Sequence, residues 1–139
     1  MDVDSTKSIW GDLIFAYTRK DAIEDGVLID VTETARTCGF VIPVAITSQA
    51  YAECVQWSEA DNDIQTYQDE SGRLKDVLMM CFFWIKKHGR NRTDDIIFPF
   101  LYVPRDGVSE TPVETVLKVN IGPGDRGEPV LTIMEVDED

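Results

Sequence analysis

The stretch Arg73-Leu74-Lys75-Asp76-Val77-Leu78-Met79-Met80-Cys81-Phe82-Phe83-Trp84-Ile85-Lys86-Lys87-His88 decides the fold. Leu74, Val77, Leu78, Cys81, Phe82 and Ile85 recur at the i, i+3, i+4 spacing of one helical face. Met79, Met80, Phe83 and Trp84 fill much of the opposite side. A helix apolar nearly all round is buried on several sides or supplies an interface. Lys86, Lys87 and His88 suit the negative end of its dipole, and Gly89 suits its stop. Leu78 and Phe82 are expected in the core.

Downstream of this helix, Arg90 to Asp95 reads as a polar loop, followed by three strands: Ile96 to Val103, Thr115 to Ile121 and Pro129 to Glu135. Short loops join them, Arg105-Asp106-Gly107 and Gly122-Pro123-Gly124-Asp125-Arg126-Gly127 supplying turn chemistry, so an antiparallel meander is expected. Upstream, Ile9 to Phe15 is apolar enough to dock on a core. Thr18 reads as the N-cap of a short helix ending near Gly26, with Asp21 in its first turn. Val27 to Val31 reads as extended, and Thr32 as the cap of a helix that stops at Gly39. Phe40 to Thr47 reads as a strand that Pro43 demotes to an edge. Ser48 opens a helix through Ser58, with Tyr51, Ala52, Val55 and Trp57 facing inward. The fold class is therefore α+β. An antiparallel sheet of three to five strands, mostly C-terminal, packs on a long apolar helix and shorter N-terminal helices. One domain covers 1–139, with 1–8 and 136–139 frayed.

Charge bounds the function. Against 26 Asp and Glu stand 13 Lys and Arg, a net of -13 over 139 residues. Such a body repels nucleic acid and attracts basic surfaces. At 43% hydrophobic the chain can still bury a core, so the acidity is not a signature of disorder. The start lacks the basic and apolar runs of a signal peptide. Val77 to Ile85 falls far short of the ~20 residues of a membrane span. A cytoplasmic protein with no membrane partner is expected. Cys38, Cys54 and Cys81 read as reduced small hydrophobes.

No catalytic, cofactor or metal constellation stands out. The Gly122 to Gly127 loop matches neither phosphate-binding fingerprint, and a strand follows it rather than a helix. Asp61-Asn62-Asp63 opens like a calcium loop, but Thr66 replaces the required sixth-position glycine and Gly72 the twelfth-position glutamate. His88 lies two helical turns from Cys81, about 10 Å along the axis, too far for a thiol–imidazole pair. The basic run Lys86 to Arg92 reads as a helix end and its loop, able to meet this chain's own acids or a second copy.

Three segments look familiar together: Ile14 to Val31, Gln68 to Leu78, and Gly122 to Met134. In combination they resemble a family of short uncharacterised proteins carried mostly by bacterial plasmids, integrative elements and phages. The resemblance covers about Ile14 to Met134. It implies a setting, the accessory genes of mobile DNA, and no activity.

Two functions follow. The first is a non-catalytic accessory protein that binds a basic protein surface through its own acidic one. In the strongest form it mimics DNA, whose charge recurs about every 1.7 Å of axis, and so inhibits host defence. From Glu53 through Glu70 there are six acids and no base. The candidate binding residues are Glu59, Asp61, Asp63, Asp69 and Glu70, with Asp137, Glu138 and Asp139 in the tail. A homodimer is compatible with this reading. The alternative is a small-ligand-binding protein or enzyme using a carboxylate cluster in a helix–sheet cleft lined by Trp57, Tyr67 and Trp84.

Overall fold

The computed structural model describes residues 17–88 and 95–138. Ile9 to Phe15, Gly89 and most of the Arg90 to Asp95 loop therefore lie outside the described residues. Helix Arg19–Glu24 (α1) begins at a capping box, in which Thr18 Oγ1 accepts from the Asp21 N–H and Asp21 accepts from the Thr18 N–H. Strand Leu28–Asp30 (β1) and helix Thr32–Thr37 (α2) follow, then strand Val44–Thr47 (β2) and helix Ser48–Cys54 (α3). The acidic stretch contains a four-residue helix, Glu59–Asn62 (α4). Helix Glu70–His88 (α5) runs 19 residues. Strands Asp95–Tyr102 (β3), Val113–Pro123 (β4) and Pro129–Glu135 (β5) complete the chain.

Among the described residues the sheet has five strands in the order β1-β2-β5-β4-β3. The expected meander is there, since β3 pairs antiparallel with β4 and β4 with β5. The sheet as a whole is mixed, however, because β2 runs parallel to β5 with Val44 opposite Leu131 and Ile46 opposite Ile133. Pro43 does not make β2 an edge strand. It stands one residue ahead of the strand, and its carbonyl accepts the Leu131 N–H at 2.9 Å. Val44, Ala45 and Ile46 are buried, the continuous apolar run of a strand flanked on both sides.

One sheet face carries Val44, Ile46, Phe98, Leu117, Val119, Leu131 and Ile133 into a core completed by Leu74, Val77, Leu78 and Cys81 of α5. The sheet covers only that side of the helix. Met79 is 62% and Phe83 55% exposed, so α5 is long and amphipathic rather than apolar all round. Leu78 is fully buried. Phe82 sits at the margin of the core, partly exposed, edge-on to Phe40 at 5.3 Å between ring centroids. Gly39 is needed beneath it: its φ is +108°, and a Cβ there would come within 2.9 Å of the Phe82 ring. Ala52, expected inward, is exposed, whereas Ala50 and Cys54 take the buried positions of α3. Thr47 caps that helix, one residue ahead of Ser48.

On the other face, α1 lies against β1. Arg19 reaches across to donate to Thr132 Oγ1 and the Leu131 carbonyl, both at 2.7 Å. The glycine-rich turn closes onto the same helix, for Asp125 accepts the N–H groups of Arg19 and Lys20 at 2.7 and 3.0 Å. That loop is thus a turn whose carboxylate ties β4–β5 to α1.

Leu78→Ala should cost about 2–5 kcal/mol of unfolding free energy by urea titration, with Phe82→Ala near the lower end because its ring is already part-solvated. A Leu78→Ala midpoint equal to wild type would place this helix face outside the core.

Candidate functional site

The acidic stretch is built into the fold. Asp61 accepts from the Ser58 N–H at 2.8 Å and from its hydroxyl at 2.9 Å, and then receives the Arg105 Nε–H at 2.7 Å. Desolvation pushes the Asp61 carboxyl up, but the Arg105 and Ser58 hydrogen bonds outweigh it and hold the group below the usual carboxylate range. Asn62 staples the segment to itself: it accepts from Trp57 Nε1 and the Gln68 N–H, both at 2.8 Å, and donates to the Gln68 carbonyl. Gln65, only 6% exposed, donates to the carbonyls of Pro104 and Ser109 and accepts the Gly107 N–H. This amide docks the β3–β4 loop onto the acidic segment. Asp106 in that loop accepts the Ser109 hydroxyl and the N–H groups of Ser109 and Val108, which draws its pKa down to about 2.

The other expected binding residues divide. Glu70 accepts the Tyr51 hydroxyl and the Trp57 N–H, and Asp69 accepts the Gly72 N–H at the start of α5. Glu138 folds back on the sheet, where its carboxylate accepts from the Thr47 hydroxyl and the Glu135 N–H, and its carbonyl from the Lys118 ammonium. Glu59, Asp63 and Asp137 are exposed, with carboxylates not engaged among the described residues. Asp139 lies outside the described residues. The described tail acids and the segment acids rest on different elements.

Arg73 opens the apolar run of α5 and is 4% exposed. Its Nε donates to the Val55 carbonyl at 3.1 Å, and Nη1 donates to the Val103 carbonyl at 2.9 Å and to Gln68 Oε1 at 3.2 Å. The guanidinium lies over the Trp57 ring, 4.6 Å from its centroid. One planar fork thereby joins the end of α3, the start of α5 and the end of β3. Arg73 Nη2 and Gln68 Nε2 meet no acceptor among the described residues. Both residues line a cavity of about 120 Å³ with Cys54, Asp76 and Tyr102. Burial pushes the Cys54 thiol up to about 12, so it is a protonated wall and not a nucleophile. Burial, then a hydrogen bond to Glu53, also raises the Tyr102 phenol.

The three aromatics expected to share a cleft do not. Trp57 is buried beneath Arg73, Tyr67 is 75% exposed, and Trp84 stacks on His88 at 5.0 Å. A groove does open between α5 and β3. It encloses about 500 Å³, is walled by Met79, Met80, Phe83 and Leu101 over the buried Phe100, and has Asp76 at its mouth. Among the described residues no group of three His, Cys, Asp or Glu side chains converges as metal ligands. No described helix is long and apolar enough to cross a membrane.

A match to a family of unknown function, DUF6573, runs over residues 9–139. The chain belongs to that family. No curated protein and no solved structure matches it. The acid staples and the Arg73 fork all lie within the matched residues.

Arg73→Lys keeps the charge and loses the fork. Leaving the Val55 or Val103 carbonyl unpaired should destabilise the protein by about 2–4 kcal/mol in thermal or urea unfolding. A change below about 0.5 kcal/mol would show that the carbonyls find other donors.

Proposed function

We propose that this protein is a non-catalytic accessory protein of a mobile genetic element, working in the cytoplasm by binding a basic protein partner through an acidic surface. Its strongest form is a DNA mimic that occupies the basic groove of a host defence protein. The observation that supports this reading is the fixed placement of acids around α4. Gln65 draws the β3–β4 loop onto the segment, so that the Asp106 loop is docked against the stretch that carries Glu59, Asp61 and Asp63. Among the described residues, Arg105 forms the salt bridge to this cluster, and it is already engaged with Asp61. The backbone that carries Glu59 and Asp63 is held by the Asp61, Asn62 and Gln65 hydrogen bonds, so little backbone freedom is lost on binding, which lowers the cost of association.

The binding residues are then Glu59 and Asp63, with Asp61 and Asp106 adding charge while serving the fold. Neutralising Glu59 and Asp63 together (Glu59→Gln, Asp63→Asn) should leave stability within about 0.5 kcal/mol. The association rate with an Arg- and Lys-rich peptide should fall, and its salt dependence should flatten. The matched control neutralises Glu33 and Glu114, which are exposed on other elements. Equal effects from the two pairs would assign the acidity to solubility and sink the mimic.

The cavity beneath Arg73 supports a second reading, a small-ligand site in the helix–sheet cleft. Two N–H donors and the Asp76 carboxylate line it. A ligand presenting a carbonyl or hydroxyl oxygen would satisfy both donors. On this reading a panel of small oxo metabolites contains one that raises the melting temperature of wild type and not of Gln68→Leu. A panel without any such compound counts against the site.

A further inference from the structure

We infer that α5 is the self-association helix of an antiparallel homodimer, its occupant being α5 of a second copy. The observation is the order of side chains on the exposed face of the helix that borders β3. From the N-terminal end it reads Asp76, Met79, Met80, Phe83 and Lys87. The apolar middle is exposed, Met79 and Phe83 by more than half, and Leu101 extends it onto the sheet edge at 61%. The two ends carry opposite charge.

That order is self-complementary in one direction only. A two-fold axis crossing α5 between Met80 and Phe83 sets Met80 against the partner's Phe83. One turn further out, Asp76 meets the partner's Lys87, and the symmetry makes every contact twice. A parallel pairing would instead set Asp76 against the partner's Asp76 and Lys87 against the partner's Lys87. The contact covers about 16 Å of helix. Lys87 is already laid toward this seam, its ammonium 5.0 Å from the Trp84 centroid and 5.9 Å from that of Phe83. Lys75 and Lys86 border the stripe on its Met79 side, where the Lys86 ammonium lies 5.5 Å from the Phe82 ring centroid.

The neighbouring edge of the sheet argues for helix pairing over strand addition. β3 is an edge strand, and Pro99 in its middle has no N–H to offer a second chain. A copy that approaches this side therefore gains its contacts from the α5 stripe and the Leu101 shoulder. The acidic end around α4 belongs to other elements and stays available, so the inference stands apart from the binding reading above.

Sedimentation equilibrium of the full chain tests it, with far-UV circular dichroism to confirm that each variant folds. Wild type should dimerise reversibly, and Phe83→Glu, an exposed change, should be monomeric with an unchanged spectrum. Asp76→Lys alone and Lys87→Asp alone should each weaken the dimer about tenfold or more, because each creates two like-charge contacts across the axis. The double variant Asp76→Lys/Lys87→Asp should recover affinity to within about threefold of wild type. A wild type that stays monomeric into the millimolar range overturns the dimer. A dimer that ignores Phe83→Glu, or single exchanges that add without recovery in the double, overturns the antiparallel α5 contact. Neither result bears on the Glu59 and Asp63 experiment, which reads a different surface.

Discussion

Everything in this fold hangs on the parallel pairing of β2 with β5. Among the described residues it is the strand pairing that inserts the N-terminal strands into the C-terminal meander, and it places Val44 and Ile46 beside Leu131 and Ile133 at the centre of the core. Parallel neighbours cannot be joined by a tight turn, so the chain between them must travel. Here the connection contains α3, α4, α5, β3 and β4. The crossover lays α5 along the sheet face, and α5 in turn creates the groove beside β3 and carries Arg73 to the meeting point of three elements. The groove and the Arg73 fork are both consequences of closing that one ladder.

Acidity in this protein is partly architecture. Asp21, Asp61, Asp69, Asp106 and Asp125 each accept backbone N–H groups at a helix start or a loop, and Glu70 does the same for the Trp57 N–H. An ionised carboxylate is the strongest such acceptor and is favoured at the positive end of a helix. A chain with short helices and irregular connections has many such ends to satisfy. The net charge of -13 thus mixes staples with free charge, and only the free part can serve a partner without disturbing the fold.

Much of this was legible in the sequence. Thr18 and Asp21 announce the first helix, the period of Leu74 to Ile85 the long one, and Pro129 to Glu135 the last strand with its observed bounds. Strand direction was not, because alternation and turn residues report local geometry and say nothing of which distant strand lies alongside. Pro43 misled for a related reason: a proline forbids a ladder bond at its own nitrogen and leaves the next residue free to begin a central strand. The apolar residues of α5 were all visible, but composition alone does not tell a helix buried on two sides from one that faces solvent at Met79 and Phe83. Among the candidate residues, an exposed acid and a capping acid look identical in a linear reading. The offsets Ser58 to Asp61 and Asp69 to Gly72 were the available clue. Arg73 carried a clue as well, being a cation four residues ahead of Val77, on the apolar side of the helix. Its acceptors, the carbonyls of Val55 and Val103, belong to backbone that no side-chain pattern marks.

The same central ladder sets the order of events during synthesis. β2 leaves the ribosome well before β5, and in that interval it can pair with β1 alone. Its other edge then shows Val44-Ala45-Ile46 with unpaired backbone groups, an apolar segment open to strand addition by any neighbouring chain. Until β5 arrives, that edge has the features that favour intermolecular strand pairing, and the parallel ladder is what finally covers it.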